Sequence, residues 1–140
     1  MGVHSRHMGF FRVIHRKHFD SERDGSGFAS TALNLRSGEP FSVVDHDCAL
    51  AESGGICSHV LRYYRDQTGE PAIYWAILDE HIPAECRATP ETTPTGDECH
   101  RNLHGWGRNT IRGVFKRLSL GDLTVCASEG ERPLERSDLD

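Results

Sequence analysis

Ala72-Ile73-Tyr74-Trp75-Ala76-Ile77-Leu78 is the most apolar run in the chain. It follows a helix-ending Gly69-Glu70-Pro71 and reads as the central strand of a sheet. Working outward, Phe10-Phe11-Arg12-Val13-Ile14 is aromatic and β-branched, the composition of a strand. Phe41-Ser42-Val43-Val44 and Leu123-Thr124-Val125-Cys126 make two more strand candidates. Between these lie two helical patterns. Cys57, Val60, Leu61 and Tyr64 recur at i, i+3, i+4, i+7, and so do Ile111, Val114, Phe115 and Leu118. His59 falls opposite the first stripe at 100° per residue, which predicts an exposed side chain. The expected fold is α+β: a single small domain of about four strands with two amphipathic helices.

Residues 1–9 read as a flexible leader, 10–126 as the globular domain and 127–140 as a disordered acidic tail. The segment 82–98 holds three prolines and reads as a long loop without a regular element. A chain of 140 residues can bury one core but not two. No apolar run reaches the ~20 residues needed to span a bilayer, and the N-terminal residues carry no long apolar stretch, so a cytoplasmic protein without a membrane partner is expected. A net charge of −5 argues against a nucleic-acid partner held by phosphate neutralisation. Five cysteines are an odd number at irregular spacing, which predicts reduced thiols instead of a disulfide framework.

Chemistry concentrates where strands end. His15 and His18 follow the first strand, Asp45 and His46 the second, and His81 the central one. The densest segment is 96–109, which brings Cys99, His100, Arg101, Asn102, His104, Trp106 and Arg108 into fourteen residues. Histidine titrates near neutrality and needs an orienting partner and a cation to act as an acid or base. That points to His100, His104, Asn102 and His15 as catalytic candidates, with Arg101, Arg108, His18 and Trp106 gripping substrate. Asp45, His46, Cys99 and His81 offer the oxygen, nitrogen and sulfur donors that zinc accepts, although no Cys-x2-Cys pair exists.

Ile77-Leu78-Asp79-Glu80-His81-Ile82-Pro83 with Asn102-Leu103 resembles the metal motif of HNH-type nucleases, but the closing helical histidine is absent. Arg12 to His15, Phe28 near Ser26, Ser42 to Asp45, and Pro94 to His100 are similar to short uncharacterised bacterial proteins. That resemblance implies one α+β domain and assigns no activity. The functional expectation is a His-centred polar site acting on a phosphorylated or nucleotide-like small molecule as a hydrolase or transferase, with zinc a candidate cofactor. The competing expectation is a non-catalytic protein that binds a protein partner, of the immunity, inhibitor or anti-defence type.

Overall fold

A computed structural model describes residues 8–14, 40–64, 72–127 and 130–139. Its strands are β1 (Met8–Ile14), β2 (Phe41–Asp45), β3 (Ala72–Leu78), β4 (Arg87–Pro90), β5 (His100–His104), β6 (Leu123–Ala127) and β7 (Gly130–Pro133). Its α-helices are α1 (His46–Ser53), α2 (Ile56–Tyr63) and α3 (Arg108–Lys116). The strands form one sheet in the order β4-β5-β2-β1-β3-β6-β7, antiparallel at every pairing.

The expectation of about four strands and two helices is therefore corrected to seven strands and three helices, still α+β. All four expected strands are present, but β1, not β3, is the middle strand. The three additions, β4, β5 and β7, are polar stretches without the apolar run that marks a buried strand. β4 is exposed along its whole length and ends in Pro90, and β7 is short, polar and ends in Pro133. These are edge strands, where proline is tolerated and helps to block further pairing. β4 lies inside the supposed loop 82–98, and β7 inside the supposed disordered tail, where Leu134 is buried as well. β5 is made from the polar 96–109 segment and carries only Leu103 into the apolar core.

Helix α1 was invisible to periodicity because its small and apolar residues, Cys48 to Ala51, are consecutive instead of spaced along one face. Asp45 accepts a hydrogen bond from the Cys48 amide at 3.0 Å and so caps the helix. Gly54 closes it with φ +79, a left-handed conformation that favours glycine.

The sheet separates two cores. On one face Phe41, Val43, Trp75, Ile77, Leu103, Leu123 and Val125 pack under Ile111 and Phe115 of α3. On the other, Phe11, Val44, Tyr74 and Cys126 pack under Ala49 of α1 and Ile56 and Val60 of α2. Strand alternation sends successive side chains to opposite cores, which is why Phe41 and Val44 part company.

Reduced cysteines were expected; four of the five are instead paired. Cys48 of α1 bonds Cys99 at the head of β5, and Cys57 of α2 bonds Cys126 of β6. Cys86 accounts for the odd count. The partners lie 51 and 69 residues apart, so nothing in local spacing reveals them. No helix among the described residues is long and apolar enough to cross a membrane.

Candidate functional site

The polar centre of the molecule is built where the end of α1, the inner face of α2 and the approach to β5 meet. His59 and Asp97 are both 0% exposed, and His59 Nε2 lies 2.8 Å from Asp97 Oδ1. On the other side of the ring, Ser53 Oγ is 2.8 Å from His59 Nδ1. An ionised carboxylate only accepts, so in the neutral imidazole the Nε2 proton faces Asp97 and Nδ1 is left to accept from the Ser53 hydroxyl. Asp97 is a hub. Its Oδ1 also accepts from the Cys99 amide at 2.9 Å, and its Oδ2 accepts from the Tyr64 phenol. A tight turn fixes it there: Gly96 donates to the Thr93 carbonyl at 2.9 Å with φ +95, and the Asp97 amide donates to Thr93 Oγ1 at 3.0 Å.

Burial grades along this chain of groups. Asp97 and His59 are dry, Ser53 is half-buried, and Glu52 beside it is exposed. Glu52 accepts from the Tyr63 phenol, and its other oxygen lies 3.3 Å from Cys99 Sγ. One ligand atom from each of Glu52, His59, Asp97 and Cys99 lies within 4.8 Å of the others, a metal-like grouping in which Cys99 Sγ is tied up in its bond to Cys48.

Burial, and then the hydrogen bond and the charge of Asp97, raise the Tyr64 pKa far above the ordinary tyrosine value. A raised folded-state pKa gives stability that is complete below the unfolded value near 10 and is lost as pH climbs past it. The free energy of unfolding is therefore expected to fall above about pH 10. Tyr64→Phe is expected to lessen that slope, read from urea titrations across the alkaline range. Identical slopes in the two proteins would remove Tyr64 as the responsible group.

The sequence-predicted residues are placed otherwise. His100 is buried, on the face of β5 toward α1 and α2, with Nδ1 3.1 Å from the Glu91 carbonyl. His104 sits at the far end of the same strand, roughly 13 Å away at ~3.3 Å per residue, with Nε2 2.9 Å from Thr89 Oγ1. Asn102 donates to Glu91 Oε2 at 2.8 Å. Arg101 donates to the carbonyls of Glu98 and His100 at 2.8 and 2.9 Å, Arg108 is exposed at the start of α3, and Trp106 is core, edge-on to Phe41. His15 and His18 lie outside the described residues.

Register does bring several strand ends together. Asp45 pairs with Phe10, Leu78 pairs with Met8, and the Asp45 amide donates to the Cys99 carbonyl at 2.9 Å. Their side chains nevertheless serve local ends. Asp45 caps α1, His46 Nδ1 lies 3.2 Å from Asp47 Oδ1, and His81 belongs to a short 3-10 turn after β3. Of the four expected metal ligands only Cys99 joins the cluster. Asn102 sits mid-strand in β5, where its amide donates to Glu91, and His81 lies outside the Glu52, His59, Asp97 and Cys99 group.

His59, expected to be exposed, is the principal correction. The buried face of α2 is Ile56, His59 and Val60, the same i, i+3, i+4 spacing rotated by roughly 100° from the stripe read in sequence. Counting His59 as apolar would have selected that face. Ser53 and Asp97 carry no comparable local signal.

Comparison with family models, with curated proteins and with solved structures gives no match.

Proposed function

We propose that the protein is a small hydrolase or transferase whose His-centred site is Ser53, His59 and Asp97, acting on a phosphorylated or nucleotide-like ester. The observation that carries the reading is the continuous pair of 2.8 Å contacts, Ser53 to His59 and His59 to Asp97. That is the relation of nucleophile, general base and orienting carboxylate, here with the two ring nitrogens in the reverse roles from the familiar serine-protease arrangement. Ser53 Oγ would attack the ester as its proton passes to Nδ1, and Asp97 would hold the imidazolium so formed. Helix α2 begins three residues after Ser53 with no side-chain cap on its first turn, whose amides by helix geometry have no intrahelical acceptor and suit a developing oxyanion. Arg62, with Nη1 3.9 Å from Glu52, adds a cation near the exposed end.

The test is covalent labelling by a fluorophosphonate, which reports an activated serine without requiring the natural substrate. One adduct per chain, mapped to Ser53 and lost in Ser53→Ala and His59→Ala, is the expected result. Hydrolysis of p-nitrophenyl esters is expected to fall by about 10³-fold in the same variants. An unlabelled Ser53, or esterase activity that survives Ser53→Ala, overturns the assignment.

A second reading is favoured by the four donor atoms gathered around Cys99. Zinc is the ion whose preferences span carboxylate, imidazole and thiolate together. As for location, the disulfide-bonded form suits an oxidising compartment, and a cytoplasmic chain would hold the same cysteines reduced.

A further inference from the structure

Cys99 Sγ is 3.3 Å from Glu52 Oε2 while it is bonded to Cys48. A disulfide sulfur has no proton to donate, so the carboxylate and the sulfur face one another without a hydrogen bond. The same sulfur closes the group formed with His59 and Asp97, and all three of these residues are buried. Tetrahedral zinc, with ligand bonds of roughly 2.0–2.3 Å, needs donor atoms roughly 3.5 Å apart. The four donors here lie within 4.8 Å of one another, and His59 Nε2 and Asp97 Oδ1 are only 2.8 Å apart, so the wider pairs close and this pair opens, each by about an ångström or less. What the oxidised cluster lacks is a thiolate.

We propose that reduction of the Cys48–Cys99 disulfide converts Glu52, His59, Asp97 and Cys99 into a zinc site, so that disulfide and metal are alternative states of one cluster. This rests on the zinc reading given above and supplies the condition under which it holds. In the reduction, a dithiol donates two electrons and two protons and becomes a disulfide, while Cys48 and Cys99 become thiols. As zinc binds, the Cys99 thiol releases its proton to solvent. The His59 ring proton moves from Nε2, the nitrogen facing Asp97, to Nδ1, where Ser53 Oγ accepts it. Ser53 thereby becomes the outer partner that orients a metal-bound imidazole. The lone pair that would have taken the Ser53 proton is no longer available, so the metal-bound state is silent toward esters.

Cys48→Ser isolates the effect, because it frees Cys99 without a reductant and leaves Cys57–Cys126 intact. Titrated with zinc against a chromophoric chelator, Cys48→Ser is expected to bind one ion per chain. The oxidised wild type is expected to bind at least about 100-fold more weakly, and so are Cys48→Ser carrying Cys99→Ser or His59→Ala. Cobalt in place of zinc is expected to give a thiolate charge-transfer band in Cys48→Ser only. Wild type reduced by a phosphine and then given zinc also frees Cys99, with Cys57–Cys126 opened as well, and does not depend on the variant folding.

Equal zinc affinity in the oxidised wild type and Cys48→Ser would overturn the alternation while leaving a metal site in place. Absence of binding in both Cys48→Ser and the reduced wild type would overturn the metal site itself. Binding that survives loss of Cys99 would overturn the ligand assignment.

Discussion

Asp97→Ala is expected to lower the free energy of unfolding by about 3–5 kcal/mol, the largest loss of any polar substitution among the described residues. The carboxylate holds three donors from three directions: His59 Nε2, the Cys99 amide and the Tyr64 phenol. His59 and Cys99 are fully buried, so water cannot replace the missing acceptor. Truncation leaves an imidazole N–H and a backbone amide unsatisfied in the interior, and each such group costs about 1–3 kcal/mol. Asp97→Asn keeps one oxygen acceptor and most of the volume, so about half the loss is expected. Urea unfolding of the oxidised proteins at neutral pH makes the measurement. A loss below ~1 kcal/mol for Asp97→Ala would show that the carboxylate is not what holds α2 to the head of β5.

The second large effect belongs to the disulfides. Paired Cys57→Ser and Cys126→Ser substitutions open a covalent loop of 69 residues. In the chain-entropy account a loop of that size restrains the unfolded ensemble by about 4 kcal/mol. For a chain of 140 residues that corresponds to a fall in Tm on the order of 10 °C. Opening the 51-residue loop of Cys48 and Cys99 is expected to cost nearly as much. The two losses are not expected to sum to that of the fully reduced protein, because the loops 48–99 and 57–126 overlap. Calorimetry of the two paired variants and the reduced wild type provides the comparison. An unchanged Tm in Cys57→Ser/Cys126→Ser would mean that the pairing carries no constraint on folding.

Sequence patterning reached the parts of the molecule that bury carbon. The strands around Phe11, Val43, Trp75 and Val125 were legible as apolar, aromatic and β-branched runs, and the α3 face of Ile111 and Phe115 because burial imposes a period of 3.6. The edge strands were not, since β4 and β7 are mostly exposed and no apolar pattern is imposed on them. The candidate site was legible as a type of chemistry, a histidine with carboxylate and thiol neighbours, but its address was wrong. Density of reactive side chains favoured His100 and His104, which register places at opposite ends of β5. His59, Ser53 and Asp97 are brought together over separations of 6 and 38 residues by α1 ending at Gly54 and a turn at Gly96. Such contacts are made by tertiary structure, and no local spacing encodes them.

The position of β1 has a consequence for assembly. It is the earliest of the described strands, yet it stands where two three-stranded halves meet, β4-β5-β2 on one side and β3-β6-β7 on the other. Both disulfides arise from the α1–α2 pair, one reaching each half, and β1 lies outside both covalent loops. The helices thus act as a hinge pin between two leaves, and β1 is the keystone slid between them. A chain oxidised before β1 docked would carry two joined leaves with bare inner edges, each a template for a strand from another molecule. Oxidation of the unfolded chain is therefore expected to yield more aggregate than oxidation after the sheet has closed around β1.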